Sequence, residues 1–206
     1  MANQKYEITS IPHAKYPFLH RIRALQDIGD RVKAGDLGGF VESENNLSTE
    51  DDTSWLFDDA IAAGDAFVDQ DSRLFGNAVV CGSAYVSQGS ALSAEARAED
   101  SAYIRAADLC GHARASGHSM ILNSPDTGKA PILSESCVVY GTVMGDVHVM
   151  GKTVILGEER VINDTPDTLI LNGLERSIIR DTSRDELSPH HPQEKQKKPR
   201  SKGLDR

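Results

Sequence analysis

Between Ser54 and Ile104 a three-residue signature returns every six positions: Ser54-Trp55-Leu56, Ala60-Ile61-Ala62, Ala66-Phe67-Val68, Ser72-Arg73-Leu74, Ala78-Val79-Val80, Ala84-Tyr85-Val86, Ser90-Ala91-Leu92, Ala96-Arg97-Ala98 and Ala102-Tyr103-Ile104. Its first member is always Ala or Ser and its third always apolar. A period of six does not fit a helix of 3.6 residues per turn, whereas residues i and i+2 of a strand share one face. Each hexad therefore reads as a short strand that points one small and one aliphatic side chain inward, followed by a turn. Pairs such as Gly64-Asp65, Gly76-Asn77 and Gly82-Ser83 suit such turns, because their residues tolerate left-handed backbone. Three hexads complete a coil, and coils stacked at the strand spacing of about 4.8 Å make a parallel β-helix. The fold class is all-β.

Downstream, the small column is expected to continue at Asp108 and the aliphatic one at Cys110, with the spacing dropping to five between Asp108 and Ala113. Ala113 with Ala115 and Ser119 with Ile121 then resume the pattern. The polar run Asn123 to Pro131, with its prolines and glycine, predicts an excursion loop over 123–133. Cys137 with Val139, Val147 with Val149 and Thr153 with Ile155 restore the coil. Open coils need caps. Tyr16, Phe18, His20 and Ile22 alternate with polar or outward residues after Pro12-His13, which predicts a half-buried strand there. At the other end Thr168-Leu169-Ile170-Leu171 and Ser177-Ile178-Ile179-Arg180 flank Asn172-Gly173 as a hairpin would. The organisation expected is a cap over 1–35, a β-helix over 36–162, a C-terminal cap or hairpin over 163–186 and a disordered basic tail over 187–206.

The 206 residues, 39% hydrophobic, 26% charged and 5% aromatic, match one domain with a light aromatic load. No apolar run approaches the roughly 18 residues of a membrane span, and Met1-Ala2-Asn3-Gln4 opens no signal peptide, so the chain reads as cytoplasmic with no membrane contact. Cys81, Cys110 and Cys137 suit neither a disulfide framework nor a zinc knuckle, and read as buried reduced thiols. From Leu187 to Arg206 six basic and two acidic side chains give +4, against a net −9 for the whole chain. Such a tail can make weak contact with nucleic acid or an acidic partner, or serve only to solubilise the chain or fold back loosely on its acidic body.

The segment Val32-Lys33-Ala34-Gly35-Asp36-Leu37-Gly38-Gly39-Phe40-Val41-Glu42, followed by Asn46-Leu47-Ser48 and Trp55, resembles the entry to the helix in YdcK-like proteins of bacteria and phages. The resemblance spans roughly residues 15 to 120. It implies a left-handed β-helix of the hexapeptide-repeat superfamily, a phage or mobile-element origin and a transferase label without an established reaction. The handedness comes from the resemblance alone. The superfamily's acyltransferases imply acetyl-CoA as cofactor, a histidine as general base and a trimer. The candidates for that base are His112, His118 and His148, the first two near corners and close to the excursion loop, the third facing out between Val147 and Val149. None carries a diagnostic motif. His13, His20 and the tail pair His190-His191 are weaker candidates, and the pair is too short a cluster to specify a metal site.

The outward residues say more. One face carries Phe67, Tyr85, Tyr103 and Met120; the other two carry Trp55, Arg73, Ala91, Leu109 and Ile61, Val79, Arg97, Arg114. A four-coil apolar ladder is expected either to be an interface or to lie under the chain's own caps. The favoured reading is a non-catalytic binding or self-assembling scaffold without cofactor, a homotrimer or the docking site of a protein partner. The acyl-CoA-dependent acyltransferase is the alternative.

Overall fold

A computed structural model describes residues 3–181; the tail expected over 187–206 lies outside the described residues. The hexads form a parallel β-helix of about seven coils with three strands per coil. The first face begins at Trp55–Leu56, the second at Ile61–Ala62 and the third at Phe67–Val68. Every third strand is a hydrogen-bonded neighbour: Trp55–Leu56 pairs with Arg73–Leu74, and that with Ala91–Leu92. Both inward columns are sealed. Ala60, Ala66, Ala78, Ala84, Ala96, Val68, Leu74, Val80, Val86 and Leu92 all have zero exposure.

Strand β1 (Tyr6–Pro12), β2 (His20–Ala24) and β3 (Leu37–Val41) close the N-terminal end. β3 is antiparallel to β2 and parallel to Ile61–Ala62, so it joins the cap to the coils. Gly38-Gly39 makes that junction possible. A Cβ on Gly38 would lie 2.6 Å from Trp55 Cζ2, and one on Gly39 would collide with Ala60 O. Asn46, fully buried, accepts from the N–H groups of Glu42 and Ser43 and donates to Gly64 O and Ala66 O, which fixes the first coil to the second. Lys5, 1% exposed, reaches Asp52 Oδ1 at 2.5 Å and ties the N-terminal strand to the same coil. Burial alone would raise the Asp52 pKa, but the Lys5 ammonium and the Ser54 N–H outweigh it and hold the carboxyl below its ordinary value.

The strand expected over Tyr16 to Ile22 begins only at His20. Tyr16 and Phe18 are exposed in a turn, because His13 Nδ1 accepts from the N–H groups of Lys15 and Tyr16 and His13 N–H donates to Leu19 O, while Pro17 has no N–H to give a ladder. The cap also buries two residues assigned to outward faces. Trp55 packs edge-on to Tyr6, and Ile61 lies under Leu19 and Phe40.

Most corners turn on left-handed residues stacked coil over coil, the exceptions being those at Tyr140-Gly141 and at Leu156 to Glu159. Between the first and second faces these are Asp58, Gly76, Ala94, Gly111, Glu135 and Gly151, with φ from 53° to 68°. Between the third and first faces the early coils use two, Gln70-Asp71 and then Gln88-Gly89, but the next has Ala106 alone. The missing residue is therefore lost here, one hexad earlier than the sequence suggested. Ala107, and not Asp108, occupies the small column; Leu109, and not Cys110, points inward, opposite Leu92, while Asp108 is exposed. The buried Ser90 hydroxyl accepts from Ala107 N–H and donates to Ser87 O, so the tightened corner leaves no backbone donor unpaired at that point.

The excursion leaves after Met120–Leu122 and ends sooner than position 133: Ile132–Leu133 is a strand of the first face. Thr168–Asn172 and Glu175–Ile179 form the C-terminal hairpin, added to the first face through Val147–Met150. Of the cysteines, all free, only Cys137 is fully buried, and burial pushes its thiol up to about 11; Cys81 and Cys110 are half-buried. Among the described residues no helix is long and apolar enough to cross a membrane.

The corners make opposite predictions for two similar substitutions. At Gly82, φ 73°, an added Cβ would lie 2.7 Å from Asp100 O, so Gly82→Ala is expected to cost about 2 kcal/mol from left-handed strain and overpacking. Ala94 already holds φ 60° with a Cβ, and Ala94→Gly should gain about 0.5–1 kcal/mol once the looser unfolded chain is deducted. Urea denaturation of both variants checks the sign of each.

Candidate functional site

The strands that build the third face are two to four residues long, and parallel pairing puts Phe67 beside Tyr85, Tyr85 beside Tyr103, and Tyr103 beside Met120. Their rings stack. The Phe67 and Tyr85 centroids are 6.0 Å apart at 12°, and those of Tyr85 and Tyr103 5.4 Å apart at 6°. The distances exceed the strand spacing because near-parallel rings favour an offset over a face-to-face sandwich. The three rings are half-buried by one another and Met120 is 40% exposed, so the N-terminal cap does not cover this face.

In that column the next residues are Thr142 and Arg160, but the apolar surface shifts sideways instead of ending. Two positions along the same strands, Leu122, Met144 and Ile162 are in register and point outward from the coils below. The ladder expected from the sequence ends at Met120. The signal was present in the third-face strands, which lengthen to Met120–Leu122, Thr142–Gly145 and Arg160–Asn163 and so present a second outward residue each.

At its upper end the ladder meets an acidic groove of about 830 Å³ lined by Glu50, Asp52, Phe67, Asp69, Asp71 and Gln88. Tyr85 Oη donates to Asp69 Oδ2 at 2.9 Å. Loss of water around the ring raises the Tyr85 pKa to about 12, helped by the Asp69 hydrogen bond and charge. Burial likewise raises the Asp69 carboxyl. The phenol is thus a committed donor that anchors its ring to the coil above, and the ladder is stiffened before anything binds.

The candidate histidines do not converge. His112 is at the corner between the first and second faces, exposed, with Nδ1 3.1 Å from Glu95 Oε2. His118 is exposed at the corner between the second and third faces. The excursion loop leaves at the remaining corner, so neither histidine shares an edge with it, contrary to the expected proximity. The half-buried His148 faces outward on the first face between Ile132 and Ile170, with Nε2 3.6 Å from Asp146 Oδ1. Asp146 also holds the loop, accepting from Lys129 Nζ at 2.8 Å and Thr168 Oγ1 at 3.0 Å. This hydrogen bond raises the Lys129 pKa. Among the described residues no group of three or more His, Cys, Asp or Glu could hold a metal ion.

No protein-family model matches the chain, and comparison with curated proteins finds no match.

The Tyr85 phenol offers a direct check of the ladder's upper anchor. Because its folded pKa is raised, its absorbance change on ionisation should come near pH 12 in the native protein, later than that of an unperturbed tyrosine at about 10. Asp69→Asn removes the charge that opposes the phenolate and is expected to bring that step to lower pH, read by ultraviolet titration of the folded protein with Tyr85→Phe to identify the step.

Proposed function

We propose that this chain is a non-catalytic β-helix scaffold that binds through its third face, in the first place to copies of itself as a homotrimer. The observation that supports the reading is the in-register column Phe67, Tyr85, Tyr103 and Met120, continued by Leu122, Met144 and Ile162 and left uncovered by the cap. Aromatic anchors contribute much of the energy of interfaces, and cyclic symmetry lets each copy bury the same strip against its neighbours. The finer identity belongs to the same proposal: a left-handed helix of the YdcK-like, hexapeptide-repeat kind, cytoplasmic, resting on the entry segment Val32 to Glu42 and on Asn46-Leu47-Ser48. In the structure Gly38-Gly39 and Asn46 of those motifs make the junction between cap and coils.

A second reading, an acyl-CoA-dependent transferase, is favoured by one observation, the pairing of His148 with Asp146 beside the excursion loop. A carboxylate beside an imidazole, at 3.6 Å here, is the kind of neighbour from which a general base is built. His112 has Glu95 beside it but no neighbouring loop, and among the described residues His118 has neither.

Two measurements separate these readings. Tyr85→Glu with Tyr103→Glu should give a folded monomer, because both side chains point away from the inward columns; light scattering for mass and circular dichroism for fold check it. An unchanged mass refutes association through this face. The transferase reading requires acetyl-CoA turnover with amine or hydroxyl acceptors that falls at least about a hundredfold in His148→Ala, the scale of general-base catalysis; no turnover in the wild type rejects it.

A further inference from the structure

The turn over residues 13–19 does more than close the end of the helix: it overhangs the second face and borders a half-open pocket of about 170 Å³. Leu19 packs with Phe40 and Ile61 at its base, Tyr16 and Phe18 form its outer wall, and Ala63, Val79 and Cys81 its inner one. Burial, then the nearby Glu99 charge, raises the Cys81 thiol, so this wall is neutral. One charged group stands at the rim. Arg97, in register with Val79 one coil further on, donates through Nε to Glu99 Oε1 at 2.5 Å, and among the described residues its Nη1 and Nη2 have no partner. Glu99 also holds Arg114, and Glu95 and Asp100 stand close by, so what distinguishes the rim is the unpaired Nη edge of Arg97 and not a net positive charge.

We infer that this pocket binds a small amphipathic carboxylate, its apolar body between Phe18, Ile61 and Val79 and its carboxylate on the free Nη groups of Arg97. An apolar cavity with one convergent polar group is the general form of a small-ligand site. Guanidinium is the side chain suited to it, because its planar fork meets a carboxylate through two parallel hydrogen bonds. The volume admits a single ring with a short acidic side chain. The site lies on the second face and is independent of association through the third, so either reading can fail without the other.

Hydrocinnamate and hydrocinnamyl alcohol, which share one apolar body and differ in charge, test the inference on the full chain by methyl NMR titration. Hydrocinnamate should bind with Kd on the order of a millimolar, as expected for so small a ligand, and shift the methyl signals of Ile61 and Val79. The alcohol should bind at least about fivefold more weakly, for want of the charge-assisted pair. Arg97→Gln should bring the two to equal affinity, and Ala63→Leu, which fills the pocket from a half-exposed position, should abolish both. The inference is overturned by shifts elsewhere or none, by equal affinities in the wild type, by an acid preference that survives Arg97→Gln, or by binding that survives Ala63→Leu.

Discussion

Everything in this molecule hangs on coil-to-coil hydrogen bonding across two-residue strands. Ala78 O accepts from Ile61 N–H in the coil above, and Ala96 O in turn from Val79 N–H, so each coil is the template for the next. With strands this short, a slip of one residue would turn a small inward side chain outward and bring a charged or aromatic one into the core. The small column is what the corners demand. From Ser54 to Ser119 it holds only Ala or Ser beside the corners, and in the later coils it takes the larger Cys137, Val147 and Thr153. The count first fails at the corner Arg105-Ala106-Ala107, where it is repaired locally by Ser90 and register is recovered within one strand; it fails again at the excursion after Leu122 and at the shortened corner between Val139 and Thr142.

The same templating writes the surface. Since outward residues are held in register as strictly as inward ones, like side chains stack into columns, and a column's chemistry becomes the chemistry of a face. On the third face that produces a ring ladder; the anchoring of Tyr85 by Asp69 shows that corner residues of one coil can fix an outward residue of the next. On the second face the column is split, apolar under the cap at Ile61 and Val79 and cationic beyond it at Arg97 and Arg114. The proposed carboxylate pocket is at that split. The three faces thus differ in what they can do although the coils beneath them are nearly identical.

The closed end and the coils also depend on each other. Lys5, Tyr6 and Trp55 are all at most 1% exposed, and the Tyr6 hydroxyl donates to the Leu47 carbonyl at the first coil. Burial raises that phenol, keeping it a neutral donor. An ammonium and a phenol can be buried here only because Asp52 and the backbone carbonyls of 44 and 47 meet them. The cap is therefore specified by polar partners as well as by apolar packing.

By itself the sequence determined the coil, its two inward columns, the outward ladder from Phe67 to Met120 and the hairpin around Asn172-Gly173. These follow from the alternation of a strand and from turn chemistry, which act over two to six residues and are visible in any short window. The tertiary structure alone decided the rest. Arg105 to Cys110 reads equally well in two frames, and only pairing with Ala91–Leu92 selects Ala107 and Leu109 as the inward residues. Trp55 and Ile61 occupy outward positions, yet chain from some forty residues earlier folds over them. The separate corners of His112, His118 and the excursion loop, the meeting of His148 with Asp146, and the pocket at Arg97 likewise depend on how turns accumulate around a three-sided helix. A residue's place in that cross-section depends on every corner before it, which no local pattern records.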